Sequence, residues 1–293
     1  MPPLAASAIP AFLRHTVSPL LPSSCPPLAS SLVPLLTATT LGHGPTWLAP
    51  CLAHALEAHP PLPEGQDPPP EIEPHLASSC SPSAPDAQQH PRRLIVAQFK
   101  EALVKSAILI GVPRAIETLL HLDDAVLDKR DLSRAFVRRA LEESEEEGSG
   151  ETRATRGREG LRTVYKGDLD AIFSRMRDGG LEDLRFISER LTYGTFLTPF
   201  SSSSRSPDPL SPDPRLLSLV TLPCLLSQRT PREIHWHLRG ALRRGWTRED
   251  VERVQRATEA CAAACGVDGV GEGMPRVEGV ERQEEEDWAE HGR

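Results

Sequence analysis

Glu233 and His237 are the two residues of this 293-residue sequence whose types and spacing best suit chemistry. Residues four apart lie on one face of an α-helix, about one turn from each other. A carboxylate in this position can orient the imidazole and raise its basicity, so the pair could move protons at a lactone or a carboxylated substrate. Glu233 also has a structural interpretation, as the third residue of a capping box that begins at Thr230. Both interpretations stay open at this point.

Three further residues could contact a substrate of this kind. Arg239 and Arg243 follow on the same predicted helix, and their guanidinium groups could anchor an anion. Tyr193 lies at a predicted helix end, where it could line a pocket, although an ion-paired helix terminus would also explain the charged residues around it. His235 and His237 lie on different helix faces, so we expect no metal site from the His-Trp-His triplet, and no cofactor.

Two helices with clear boundaries carry this pattern. Thr230, followed by proline, begins the first helix, and Thr247 begins the second. Gly245 and Gly266 are placed to end the two helices in the left-handed conformation. Before them, the almost wholly apolar stretch 215–228 predicts a buried helix. The sequence therefore predicts a buried helix followed by an antiparallel helical hairpin.

The rest of the chain also favours an all-α fold. Aromatic residues make up only 4% of the sequence, so the core must be built from Leu, Ala, Val and Ile. Apolar periodicity predicts two short helices within 32–56, split near Gly42, and further helices upstream of the hairpin. These further helices are expected at 93–110, 114–121, 131–143, 161–176 and 181–192. In the second of them Ile116, Leu119 and Leu120 are expected to face inward. The apolar faces of the last two are expected at Val164, Leu169, Ile172 and Phe173 and at Leu184, Ile187 and Leu191.

Composition divides the chain into three parts. The 29 prolines and many serines predict segments that cannot offset their ordering entropy by burial. We expect a flexible N-terminal segment (1–31), one helical domain (32–267) and a loose acidic tail (268–293). Disordered Pro/Ser-rich or charged insertions are expected near 59–92, 144–160 and 201–214.

The predicted hairpin resembles the carboxymuconolactone decarboxylase and alkyl hydroperoxidase D-like superfamily. The resemblance is strongest over 215–267, in Glu233-Ile234-His235-Trp236-His237-Leu238-Arg239-Gly240-Ala241-Leu242 and the Gly245-Trp246-Thr247-Arg248-Glu249-Asp250 that follows. In addition, Gly111-Val112-Pro113 looks like the Gly-x-Pro ending of a second, degenerate half-unit. The resemblance implies an all-α helical bundle of two degenerate half-units that forms homo-oligomers.

The resemblance also separates three functional hypotheses. The thiol-reductase branch carries Cys-x-x-Cys ahead of the histidine, but Thr230 and Glu233 occupy those positions here. The decarboxylase branch carries Glu four residues before the histidine, as Glu233 stands before His237. This branch implies a cofactor-free decarboxylase or lactone-processing enzyme that binds a small carboxylate or lactone. The alternatives are a catalytically inactive oligomeric scaffold or binding protein and a thiol-dependent, peroxide-related redox protein.

Charge and cysteine usage limit the partners and the compartment. The net charge of −8, with basic residues spread along the chain, indicates no nucleic-acid partner. Prolines interrupt every apolar run before it reaches the roughly 18 to 20 residues of a membrane helix. Six cysteines without a framework spacing indicate free thiols in a reducing compartment and not a secreted protein. We expect the cytoplasm or the mitochondrion, since the last three residues are not a Ser-Lys-Leu peroxisomal signal.

Overall fold

The structure, a computed structural model, describes residues 2–66, 90–138, 141, 150–199 and 208–280. Within these residues every regular element is helical, which confirms the all-α class. The N-terminal helix α1 (6–20) is built from the consecutive pieces Ala6–Ala8, Ile9–Phe12, Leu13–Val17 and Ser18–Leu20. The other helices are α2 (Ala29–Leu41), α3 (Gly44–Leu56), α4 (Pro91–Ile110), α5 (Val112–Leu119), α6 (Leu122–Ala125), α7 (Gly150–Tyr165), α8 (Asp168–Asp178), α9 (Glu182–Phe186), π1 (Ile187–Leu197, a π-helix), α10 (Leu216–Ser227), α11 (Pro231–Arg243) and α12 (Arg248–Ala264).

Helix α10 lies at the centre of the main core. All of its residues are buried, as expected for a helix that is apolar on every side. It packs against α2, α4, α11 and α12. The predicted division of 32–56 into two helices is also present, because Gly42 ends α2 with a left-handed φ of 90°. The buried helix and the hairpin that follows it are therefore where the sequence predicts them.

A second, smaller core lies between α7, α8, π1 and α11. Helix α7 crosses π1 closely because glycines stand at the crossing. A Cβ atom at Gly157 would overlap the carbonyl oxygen of Glu189, and one at Gly194 would overlap the carbonyl oxygen of Arg153. This close crossing places the side chains of Tyr165 and Tyr193 beside each other, with ring centroids 6.5 Å apart.

The prediction of a flexible segment over 1–31 is wrong for its described part. Helix α1 contributes Ile9, Leu13 and Val17 to the main core, and none of the three has exposed surface. Their spacing of four residues forms one apolar stripe along the helix. The stripe was hidden by the surrounding prolines and serines, which suggested disorder by composition alone.

The described parts of the predicted insertions and tail are more ordered than composition indicates. Helix α7 begins inside the insertion predicted near 144–160, and α4 begins inside the one predicted near 59–92. The tail packs back onto α12, where Gln255 bonds the carbonyl oxygen of Pro275 (2.9 Å) and the amide of Val277 (3.3 Å). Segments 67–89, 142–149, 200–207 and 281–293 of the predicted insertions and tail lie outside the described residues.

Two local helix predictions need correction. In α5 the buried residues are Ala115 and Thr118, whereas Ile116 and Leu120, expected to face inward, are 44% and 71% exposed. Over 131–138 the predicted helix is absent, and a 3₁₀ turn (Lys129–Asp131) is followed by chain without regular structure; residues 139, 140, 142 and 143 of this prediction lie outside the described residues. Arg92 of α4 binds the Asp131 carboxylate at 2.8 Å, and this tertiary contact fixes the turn.

The predicted helix 161–176 is divided into α7 and α8 at Lys166, which has a positive φ of 44°. The predicted helix 181–192 extends to Leu197, because α9 continues directly as π1. Both differences concern where a helix bends or ends. The apolar face that the sequence assigns to 161–176, including Val164, Leu169 and Phe173, is buried. In the face assigned to 181–192, by contrast, Leu184 and Ile187 are 47% and 43% exposed.

A buried ionic cluster joins α4 to π1 and to the segment before α10. Lys105 has no exposed surface, and its ammonium lies 2.8 Å from Asp208 Oδ2 and 3.3 Å from Glu101 Oε1. It also donates to the carbonyl oxygen of Phe196 at 2.5 Å. Arg138 donates to both oxygens of the Glu101 carboxylate, at 2.8 Å to Oε1 and 3.1 Å to Oε2. Asp208 and Lys105 therefore tie part of the predicted 201–214 insertion into the fold.

Replacing Lys105 with Met should destabilise the protein by roughly 3–5 kcal/mol, because the change leaves the buried Asp208 carboxylate without its cation. Urea denaturation followed by circular dichroism measures the loss. Lys129→Met is the matched control, since the Lys129 side chain is 55% exposed beside Asp123, and removing such a surface pair costs roughly 1 kcal/mol or less. Equal stability losses in the two variants would contradict the proposed importance of the buried cluster.

Candidate functional site

A cavity of about 770 Å³ lies between α7, α8, π1 and the first turns of α11. Its size is within the range of roughly 300–1,000 Å³ that is typical of small-molecule sites. Most of its wall is apolar, including Leu109, Leu161, Leu169, Phe173, Met176 and Leu197. A few polar side chains converge on this apolar surface, as in binding sites for organic molecules.

Four of these side chains, Tyr165, Tyr193, Glu233 and His237, form what we call the polar quartet. The Tyr165 hydroxyl donates to Glu233 Oε2 at 3.1 Å. The Tyr193 hydroxyl and His237 Nε2 are 3.3 Å apart and share a hydrogen bond. Glu233 and His237 come from successive turns of α11, Tyr165 ends α7, and Tyr193 lies on π1. The structure thus brings Tyr193, Glu233 and His237 of the sequence prediction to one cavity.

The capping box expected at the start of α11 is absent. Thr230 is the N-cap residue, but its hydroxyl donates to the carbonyl oxygen of Leu225 (3.1 Å) and forms no capping bond. The Glu233 carboxylate binds Tyr165. At the next helix, by contrast, Thr247 accepts a bond from the Asp250 amide at 3.1 Å, as predicted. A helix cap therefore does not explain the position of the Glu233 side chain.

Burial makes His237 a very weak base. Loss of solvation, assisted by the nearby Arg244 guanidinium, lowers the pKa of His237 to about 3. The imidazole is consequently neutral at physiological pH. The expectation that Glu233 raises the basicity of His237 is wrong, because the hydrogen-bond partner of His237 in the quartet is Tyr193.

In contrast to His237, the other members of the quartet keep their protons more tightly than exposed groups do. Burial raises the pKa of Glu233, while the Tyr165 hydrogen bond and the Arg232 charge act in the opposite direction. Burial also raises the pKa of Tyr165 and of Tyr193. The two phenols therefore stay protonated, and Glu233 exchanges its proton closer to neutral pH than an exposed glutamate would.

His237 has hydrogen-bonding capacity left over. Its Nδ1 atom is buried and has no hydrogen-bond partner among the residues that the structure describes. Leaving a buried polar atom unpaired costs roughly 1–3 kcal/mol. Because His237 lines the cavity, a bound molecule that pairs with this atom would recover part of that cost.

Arg239 and Arg243, expected to bind substrate, do not line the cavity. Arg239 Nη1 lies 3.2 Å from Asp168 Oδ2, and Arg243 Nη1 donates to the carbonyl oxygen of Val164 at 2.6 Å. Both arginines thereby hold the junction between α7 and α8 against α11. Their predicted role is corrected because short contacts with neighbouring helices, absent from the local pattern, engage their guanidinium groups.

Several cavity residues were not predicted from the sequence. Arg175, Arg232 and Trp236 line the cavity. The Trp236 ring also packs edge-on against Tyr165, with centroids 4.8 Å apart. The four-residue spacing of Arg232 and Trp236 on α11 was a usable signal. Nothing in the sequence around Tyr165 indicated that it would meet Glu233.

The described cysteines are free and buried, and none of them lines the cavity. Burial raises the pKa of Cys25, Cys224 and Cys265 to about 12, and it also raises the pKa of Cys51 and Cys261. A thiol must lose its proton to act as a nucleophile. Cys80 lies outside the described residues.

Two kinds of feature are absent from the described part of the chain. Its His, Cys, Asp and Glu side chains form no group of three that could hold a metal ion. None of its helices combines the length and the apolar character needed to cross a membrane.

Comparison with known proteins gives a distant relative. Peroxisomal protein 2 of Schizosaccharomyces pombe (strain 972 / ATCC 24843) is 26% identical over 189 residues, which are 64% of this chain and 80% of the relative. No protein-family model and no solved structure match the chain. The resemblance to the carboxymuconolactone decarboxylase superfamily therefore stays a prediction.

The buried, neutral His237 should make the protein less stable in acid. Its pKa is lowered from 6.5 to about 3, so the unfolded chain binds a proton that the folded chain does not between these values. The stabilisation that comes from keeping His237 neutral is fully present above the pKa of this group in the unfolded chain, and it is lost as the pH falls towards 3. Between pH 7 and 4, wild type should lose up to roughly 3 kcal/mol more stability than His237→Gln.

Denaturant unfolding at a series of pH values measures this difference. Glu233 keeps its raised pKa in both proteins, so its opposite contribution, stabilisation as the pH falls, largely cancels. His121→Gln, which changes an exposed histidine, should follow wild type. Parallel pH profiles for wild type and His237→Gln would show that His237 does not resist protonation.

Proposed function

We propose that the cavity is the active site of a cofactor-free enzyme that transfers a proton beside a carbonyl group, most simply in the decarboxylation of a small keto acid or carboxylated lactone. One observation carries the proposal. A glutamate with a raised pKa, Glu233, faces an apolar cavity together with neutral hydrogen-bonding groups on Tyr193 and His237. A carboxyl group with a raised pKa next to neutral hydrogen-bond donors is a common arrangement for acid and base catalysis on carbon.

The proposed reaction begins with loss of carbon dioxide. The bond between the substrate carboxylate and the neighbouring carbon breaks, and its electron pair passes into the adjacent carbonyl to form an enolate. An apolar wall favours this step because the charged carboxylate is poorly solvated there. One of the two donor protons of neutral His237 and Tyr193 is used in their mutual hydrogen bond. The donor that remains on the pair can bond the enolate oxygen as its charge develops. Arg175 and Arg232 supply positive charge that attracts the substrate to the cavity.

Glu233 completes the proposed reaction. Its carboxylic acid donates a proton to the carbon that lost carbon dioxide, and the resulting carboxylate regains a proton from water. If the substrate is a lactone, ionised Glu233 acts instead as the base that removes a proton from the carbon beside the lactone carbonyl. The Glu233/His237 spacing also agrees with the resemblance to the decarboxylase branch.

Glu233→Gln should lower kcat by roughly 10²–10⁴-fold, because the amide cannot carry the proton. Substrates are found first by a thermal-shift screen of β-keto acids, muconate-like dicarboxylates and carboxylated lactones. Release of carbon dioxide from the hits is then measured. Glu249→Gln, at a side chain that is 74% exposed on α12, is the matched control and should keep wild-type turnover.

His237→Ala and Tyr193→Phe extend the test to the other half of the quartet. Both variants should lower kcat with a smaller effect on KM, since their hydrogen bonds act on charge that develops during the reaction. If Glu233→Gln folds and keeps the wild-type kcat, the proposed mechanism is wrong.

An oligomeric scaffold is the second candidate, and exposed apolar residues favour it. Leu181, Leu184, Phe186 and Ile187, beside the cavity, are between 43% and 50% exposed. Such patches mark contact surfaces. A stable oligomer that no compound in the screen stabilises would favour this candidate. The redox alternative has less support, because the described thiols are buried and strongly protonated.

For location, we propose the peroxisome in place of the expected cytoplasm or mitochondrion. The support is the name of the Schizosaccharomyces pombe relative. Immunofluorescence of the untagged protein should coincide with a peroxisomal matrix marker. Coincidence with a mitochondrial marker, or a diffuse cytosolic signal, would contradict this assignment.

A further inference from the structure

A second, cationic cleft adjoins the cavity. It has a volume of about 340 Å³, and two of its lining residues, Leu169 and Phe173, also line the cavity. The two spaces are therefore neighbours across these two side chains. We call the second space the arginine cleft, after Arg158, Arg162, Arg177 and Arg185, which line it with Asp170 and Ser174.

The arginines of the cleft come from three elements. Arg158 and Arg162 lie one turn apart on α7, Arg177 lies near the end of α8, and Arg185 lies on α9. The Arg185 guanidinium is also stacked on the Phe173 ring, 4.9 Å from its centroid. Cationic groups thus reach the shared wall between the cleft and the cavity.

Nearby carboxylates only partly neutralise this charge. Arg158 forms a close ion pair with Glu189. Arg185 lies 3.8 Å from Glu182 and 3.9 Å from Glu189, and Arg177 lies 3.7 Å from Glu182, which are distances too long for good hydrogen bonds.

Donor capacity therefore remains in the cleft. Arg185 Nε is buried without a hydrogen-bond partner, and Arg162 forms no ion pair, within the described residues. Counting Asp170, Glu182 and Glu189, four cationic groups face three carboxylates.

We propose that the arginine cleft binds the phosphate group of an amphiphilic substrate whose apolar part occupies the cavity. This inference rests on the proposed function, because it names the class of substrate that the active site accepts. A phosphate offers several acceptor oxygens and up to two negative charges, so it can engage guanidinium groups from several directions. A carboxylate offers two oxygens and is satisfied by one arginine fork.

Isothermal titration calorimetry with three probes tests the inference. The probes are decyl phosphate, decanoate and inorganic phosphate, each used below any micelle-forming concentration. Decyl phosphate carries both an apolar chain and a phosphate group, so it should bind the wild-type protein more tightly than decanoate or inorganic phosphate does. The double variant Arg162→Gln/Arg177→Gln should weaken decyl phosphate binding by roughly tenfold or more. Its decanoate affinity should change much less.

Arg256→Gln is the control, because it removes the same charge from a side chain that is 63% exposed on α12. Equal weakening by this control would overturn the inference, since bulk charge would then explain the result. Unchanged decyl phosphate affinity in the double variant would overturn it too, as would a wild-type protein that does not bind decyl phosphate.

Two natural sources could supply this chemistry, a phosphorylated lipid and an acyl group on a phosphate-bearing carrier. Lysophosphatidate and decanoyl coenzyme A represent them in two further titrations. Arginine-dependent binding of either probe supports the inference and identifies the source. Glu233→Gln is titrated in parallel and should still bind decyl phosphate. If the wild-type protein binds decyl phosphate but turns over none of the tested substrates, the proposed reaction is rejected and the arginine cleft is not.

Discussion

The buried ammonium of Lys105 is the interaction on which the position of the cavity depends. A lysine without exposed surface must have its charge matched, and here it binds the carboxylate of Asp208 and the carbonyl oxygen of Phe196. Phe196 stands three residues after Tyr193, at the end of π1. Lys105 therefore fixes the helix that carries Tyr193 relative to the main core. The hydrogen bond between Tyr193 and His237 depends in turn on that placement.

A steric constraint acts together with this ionic one. Helix α7 approaches π1 so closely that side chains larger than hydrogen do not fit at Gly157 or Gly194 without a shift of the backbone. The close crossing brings Tyr165 to Tyr193, and Tyr165 then reaches Glu233 at 3.1 Å. Two phenols from different elements thus meet a carboxylate and an imidazole that lie on one helix. The quartet is a product of tertiary packing, and a chemical role for it would require the same packing.

The sequence predicted the elements whose signals are local. The apolar run of α10, the glycines that end α11 and α12, and the shared face of Glu233 and His237 all follow from spacing along one helix. The failures involve distant contacts. Helix α1 was hidden by its prolines, although its apolar stripe is regular. Glu233 fits a capping box, yet it binds Tyr165, which is 68 residues away along the chain. Single-helix patterns contain no information about such partners.

Burial has opposite consequences for the groups that could act in catalysis, and this contrast separates the hypotheses. Removal of water makes His237 a weaker base and keeps the described thiols protonated, so neither is ready to act as a base or nucleophile at neutral pH. The same removal of water raises the pKa of Glu233 towards the range where a carboxyl group can both donate and accept a proton. The proposed proton transfer therefore relies on Glu233. The hydrogen-bonded pair of neutral His237 and Tyr193 keeps one donor for a developing negative charge, a role that requires no change in their protonation.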